Sequence, residues 1–219
     1  MADFGEAFNY GMKDIVSVLI GGVLFILSIL LIPAFIVMGY LVRVAETTIK
    51  GGGDVPKWEN IGDLLVKGVM VFIIEIVYMI IPVVVFLLLG GASIFLAAGS
   101  GDDPSAAMAA MSGMILAIVV AGIISIIMCV LAMIGILRYA ETGAIGEAFA
   151  VGKIINELKA KLGEYVIAWV VLIVAYIVIY VILTLLSMIL IGIVLIPFVM
   201  FYYEMVVFRL LAKIYAVKT

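Results

Sequence analysis

Two glutamates inside apolar runs are the residues best placed to do chemistry: Glu75 in VFIIEIVYMI and Glu204 in FYYEMVVFR. An ionised carboxylate is costly in hydrocarbon. Such a residue therefore faces a bundle interior, a partner or water, or it carries a proton. Glu75 lies two helical turns past Gly68, roughly 10 Å along the axis. Its functional use would be a proton or cation site. Its structural use would be a hydrogen bond with Tyr78 one turn on, or with Tyr176 or Tyr180 of another run. Glu204 comes shortly before Arg209, near enough to a helix end to reach water.

Other chemistries lack their residues. There is no histidine, the acids have no ligand spacing, and a single cysteine cannot build a thiolate metal centre. Cys129 sits in an apolar run, is expected to pack as a small hydrophobe, and allows no disulfide within the chain. No G-x-S-x-G, Walker or dinucleotide fingerprint occurs, and Gly51–Gly53 lacks the lysine and hydroxyl of a phosphate loop. The expectation is a non-enzymatic protein without metal or cofactor. Net charge is −3, and all 12 basic residues fall outside 68–137, so no basic stripe offers itself to nucleic acid.

A second set of charges ends two helical patterns in the same way. GYLVRVAET carries Arg43 and Glu46, and GILRYAET carries Arg138 and Glu141. At i,i+3 each pair shares a helix face. The pairs could exchange partners across a repeat interface as a cytoplasmic lock, or remain two solvated helix ends. Each block runs on into a similar segment, Ile61–Gly68 or Ile145–Gly152, and Phe4–Gly11 has the same spacing.

The elements that carry these residues are hydrophobic spans. The chain has 219 residues, of which 68% are hydrophobic and 12% charged. A soluble domain is nearer half apolar and a quarter charged. The expected fold is an all-α integral membrane bundle, a single domain of about five spans at 15–44, 68–90, 107–137, 163–187 and 192–215. An N-terminal segment, 1–14, precedes them, and polar connections occupy 45–67 and 138–162. The architecture reads as a duplicated, parallel-repeat unit with interfacial amphipathic helices. Met1–Asp14 is acidic rather than basic, so the first run reads as an uncleaved signal-anchor. Pro33 is expected to kink that run, Trp58 and Trp169 to anchor at headgroup level, and a turn to separate the last two spans near 187–192.

In the third span small residues recur at every fourth position: Ala109, Gly113, Ala117, Ala121, Ser125 and Cys129. This spacing predicts a helix-packing face, within the chain or between chains. Basic residues cluster in the two long connections and the tail, which the positive-inside rule puts in the cytoplasm. Five spans then leave the N-terminus outside and the C-terminus inside. The matching Phe4–Gly11 segment argues the other way: were it equivalent to its two counterparts, the N-terminus would be cytoplasmic and 15–44 a squeezed or re-entrant hairpin.

Ile20-Gly-Gly22, Gly39-Tyr-Leu-Val-Arg43, Val55-Pro-Lys-Trp58 and Gly62-Asp-Leu64 followed by Gly68 carry a resemblance. The first half is similar to a family of archaeal and bacterial membrane proteins known only as a domain of unknown function, number four-zero-one-three. It extends more weakly through the second half. The resemblance implies architecture and brings no activity with it. The expected function is a structural or accessory membrane subunit that meets lipid or other proteins, as a homo-oligomer or with another membrane chain. The alternative is a small channel or transporter with Glu75 on its path.

Overall fold

A computed structural model describes residues 4–99, 101, 103–188 and 191–217. Asp102 and positions 189–190 of the expected last turn lie outside the described residues. The architecture is helical, with no strand among the described residues. In chain order the helices are α1 (Phe4–Tyr10), α2 (Ile15–Ile26), α3 (Leu31–Ile49), α4 (Ile61–Gly99), α5 (Pro104–Thr142), α6 (Val151–Ala160), α7 (Leu162–Ser187) and α8 (Ile191–Ala216). Short 3-10 turns occupy Gly11–Lys13, Leu27–Ile29 and Ile145–Phe149. Five helices, α3, α4, α5, α7 and α8, are long and apolar enough to cross a membrane.

The expected first span, 15–44, is broken. Leu30 adopts an extended backbone (φ −90°, ψ 129°) between the 3-10 turn and α3. Pro33 does not kink a helix there; it lies in the first turn of α3, where a missing N–H costs nothing because those donors have no intrahelical partner. Contacts along α8 give the direction of travel. Glu6 meets Arg209, Gly11 faces Tyr202 and Gly22 faces Phe198, whereas on α3 Tyr40 meets Phe201 and Thr48 returns to Arg209. The segment is thus a helical hairpin turning back at Leu30. The outgoing arm, 15–29, rises roughly 22 Å, short of the about 30 Å hydrocarbon core. Phe4–Lys13 bends by 83° from this arm.

The hairpin also brings the two described ends of the chain together. The N-terminal helix lies beside the C-terminal part of α8, through Glu6 with Arg209 and Lys213. The described ends of the chain therefore share one end of their unit.

The chain divides into two compact units. The first gathers residues up to Phe72 and from Ile134 onward, and the second is Ile73–Met133. In the first, α8 is the central post: Phe201, Met205, Val206, Leu210 and Ala212 are fully buried. Gly39 and Gly68 let α3 and the start of α4 touch backbone to backbone, since a Cβ at either would collide with a carbonyl, Leu64 or Phe35. Both helices that end in an Arg-x-Ala-Glu-Thr block stop at a left-handed glycine, Gly51 (φ 82°) and Gly143 (φ 71°), which closes the last turn. Ile61–Gly68 is not a separate interfacial helix but the opening of α4, and Ile145–Phe149 is a 3-10 turn ahead of the amphipathic α6.

Helices α4 and α5, whose middle parts form the second unit, run past their expected limits of 68–90 and 107–137, and Gly90 and Gly91 do not stop the apolar α4. Asp103 caps α5 instead, accepting from Ser105 N at 2.9 Å ahead of a proline at the first helical position. The packing face of α5 is Ala110, Gly113, Ala117, Ala121 and in part Ser125, with Gly113 against Ser93. Ala109 and Cys129 are exposed. A strict four-residue step overshoots the helical repeat by about 40° each time, so a stripe of fours rotates off its face at both ends.

Candidate functional site

The polar end of the first unit is built on one irregular loop, Lys50–Asn60, which glycines and Pro56 keep out of helical form. Its carbonyls have no ladder to join, and side chains satisfy them. Arg209 Nη1 donates to Gly52 O (2.7 Å), Lys13 Nζ to Gly53 O (3.0 Å), Tyr10 to Asp54 O (2.9 Å) and Tyr40 to Pro56 O (2.7 Å). Arg43 Nη1 donates to Lys57 O (3.2 Å) and Glu59 O (2.5 Å). Trp58 stacks on Tyr40 with centroids 3.8 Å apart and donates to Ser17 O at 3.1 Å. The resemblance motif Gly39-Tyr-Leu-Val-Arg43 with Pro-Lys-Trp58 is the machinery that pins this loop.

Three arginines near the ends of long helices each hold an acid. Arg43 on α3 meets Asp63 in the first turn of α4 at 2.9 Å, Arg138 on α5 meets Glu147, and Arg209 on α8 meets Glu6 on α1 at 2.9 Å. Each acid is the third residue of one of the similarly spaced segments, Phe4–Gly11, Ile61–Gly68 and Ile145–Gly152. Neither expected i,i+3 pair forms. Glu46 pairs with Lys67 (2.7 Å), and Glu141 accepts from the Tyr215 hydroxyl (2.5 Å). Arg43 and Arg138 reach forward because the next segment offers a carboxylate beyond the helix end, where the guanidinium can also meet loop carbonyls. The Lys153 and Arg138 donors hold the Glu147 carboxyl below its ordinary range.

Beside these pairs lies a cavity of about 520 Å³, lined by Glu46, Lys50, Glu141, Glu157, Lys161 and Tyr215. The ends of α3, α5 and α8 and the α6–α7 junction meet there. Lys161 is built into the wall: its side chain is 4% exposed, and its ammonium donates to Glu157 (2.6 Å) and to Tyr215 O (2.8 Å). Sequence reasoning does not single out Glu6, Glu157, Lys161 or Tyr215. For Glu6 the signal is present, in its place within Phe4–Gly11.

Glu75 and Tyr78 belong to the second unit and Glu204 to the first. Tyr78 is buried, and Glu75 and Glu204 are half-buried. Glu75 makes no hydrogen bond or ion pair among the described residues. The second unit also holds a cleft of about 250 Å³ between α4 and α5, lined largely by apolar side chains such as Met79, Val83, Phe86 and Ile118. No group of three or more metal-ligating side chains forms among the described residues.

The family described as "Protein of unknown function (DUF4013)" matches residues 23–188. The chain belongs to this family. An uncharacterized protein of Methanocaldococcus jannaschii is 39% identical over 72 residues, 31% of this chain and 25% of the relative. The match thus spans a quarter of the length of that relative. No solved structure matches the chain. The five apolar helices make this a multi-pass membrane protein, and the family brings no activity with it.

Proposed function

We propose that the protein is a non-enzymatic membrane subunit that works by associating with lipid or with another membrane chain. One observation carries the reading: Glu75, half-buried on an apolar stretch of α4, has no hydrogen bond or ion pair among the described residues. A carboxylate in that setting calls for a donor from a partner helix or for a proton. It stands among large aliphatic side chains that the chain leaves uncovered, Ile73, Ile76, Val77 and Ile80 among them. The ionisable groups of the first unit are, by contrast, mostly engaged with one another, which favours a scaffold over a reaction centre.

In this reading the polar end faces the cytoplasm, and the membrane is the cytoplasmic one. The positive-inside rule supports this side, because no basic residue lies between Ile73 and Met133. The N-terminal helix then lies on the cytoplasmic side with the C-terminus.

Native mass spectrometry of the full chain, extracted gently from its own membranes, is the test. A stoichiometric second subunit or retained lipid, lost in Glu75→Gln, supports the proposal. A bare monomer whose state is the same in parent and variant overturns it. The second reading, a small channel or transporter, draws on the same carboxylate. It requires proton or cation flux into liposomes that Glu75→Gln abolishes.

A further inference from the structure

The cavity at the polar end of the first unit carries a pattern of charge that points to a ligand. Of its three glutamates, Glu46 is neutralised by Lys67 at 2.7 Å and Glu157 by Lys161 at 2.6 Å. Glu141 accepts a hydrogen bond from the Tyr215 hydroxyl, a neutral group, and has no cationic partner among the described residues. Of the two lysines, Lys161 is fully engaged in the wall. Lys50 is exposed and makes no side-chain hydrogen bond or ion pair among the described residues. One carboxylate and one ammonium on the same cavity are therefore left without a charge partner, and they do not bridge to each other.

We propose that this cavity binds a small zwitterion, its ammonium on Glu141 and its anionic group on Lys50. Residues at the C-terminal ends of α3, α5 and α8 line the cavity, and the partial negative charge of helix C-termini favours a bound ammonium. The volume, about 520 Å³, lies within the range of about 300–1,000 Å³ usual for ligand clefts. A wall containing a lysine only 4% exposed is a built surface rather than a chance gap between solvated side chains. The ends of candidate spans lie at headgroup level, so the zwitterion has two sources: the phosphoethanolamine headgroup of a lipid, or a free amino acid or amine phosphate. The inference is independent of Glu75 and of any partner chain.

The test uses the full chain purified in detergent. Soluble O-phosphoethanolamine and alanine are titrated by calorimetry, and dioleoyl phosphatidylethanolamine is compared with the phosphatidylglycerol analogue for retention in native mass spectrometry. The expected result is binding of a zwitterionic probe, weakened about tenfold or more by Glu141→Gln and by Lys50→Ala. The amide introduced by Glu141→Gln still accepts from Tyr215, so the fold is retained, and Lys50 is exposed, so its loss does not disturb the core. Lys159→Ala, an equal change of charge outside the cavity, leaves binding as it was. Retention of the ethanolamine lipid alone names the headgroup; calorimetric binding alone names a free solute. The proposal is overturned if no zwitterionic probe binds, if both cavity variants bind like the parent, or if Lys159→Ala weakens binding equally.

Discussion

Arg209 on α8 and Glu6 on α1 stand 203 residues apart in the chain and 2.9 Å apart in the structure. The guanidinium also donates to Thr48 Oγ1 and Gly52 O and lies 4.4 Å from the centre of the Tyr10 ring. One side chain thus binds the first helix, the end of the third and the loop beyond it to the central post. With α8 otherwise largely apolar, this residue and its neighbours give the N-terminal hairpin a fixed register.

Arg209→Met should therefore loosen the hairpin. Methionine keeps the bulk and loses the charged hydrogen bonds, at a cost of about 3 kcal/mol. A lowered thermal unfolding midpoint, with faster proteolytic cleavage in Lys50–Asn60, is the expected outcome. Glu6→Gln should cost less, because Thr48 and Gly52 still receive the arginine.

The crossing of α3 and α4 tolerates no side chain at two positions. Gly39→Ala and Gly68→Ala would each drive a Cβ into a backbone carbonyl that cannot move aside, destabilising by about 1–3 kcal/mol or more. Gly62, on the same opening turns of α4, has open space around it, so Gly62→Ala should be neutral or slightly stabilising. Unfolding midpoints in one detergent compare the three; equal effects would refute the backbone contact.

Acid should open the Arg138–Glu147 clasp. The folded-state pKa of Glu147 is depressed by Lys153 and Arg138, so its stabilisation is present above the unfolded value near 4.5. It is lost as pH falls through the lower folded value. Between neutral pH and about pH 3, the parent should lose more thermal stability than Glu147→Gln, which has no proton to gain there. Parallel pH profiles would count against this account.

Ala117 is fully buried on α5, and Ala109 is exposed. Ala117→Leu should disturb the second unit by about 1–3 kcal/mol, while Ala109→Leu should leave the unfolding midpoint unchanged. Equal losses in the two variants would mean that α5 packs along the whole stripe as the sequence alone draws it.

The apolar runs make the helices legible, because about twenty residues without charge have few other stable forms in lipid. Gly39, Arg43, Trp58 and Gly68 stand out as a motif, yet what they touch is hidden. Residue type alone makes Trp58 an anchor and gives no sign of the Tyr40 ring it stacks on. The break at Leu30 is equally opaque, since a hairpin of apolar arms and one long apolar span have the same composition. Helical spacing sets Arg43 and Arg138 against the acids on their own helices. Their real partners lie beyond a glycine turn, and helical periodicity carries no information past a helix end.

The three arginine–acid contacts differ in what the covalent chain does for them. Arg43 and Asp63 are 20 residues apart, and Arg138 and Glu147 only 9, so a short tether keeps each pair near even when its bond is broken. Arg209 and Glu6 have no such tether, and the loop they close is the longest of the three, with the largest entropy to hold. Followed in order, the contacts make a circuit in which each helix end grips the start of the next stretch and the last returns to the first. Two links of that circuit are doubled by peptide backbone. The third is a seam held by side chains alone, and the polar end would part there first under heat, detergent or load.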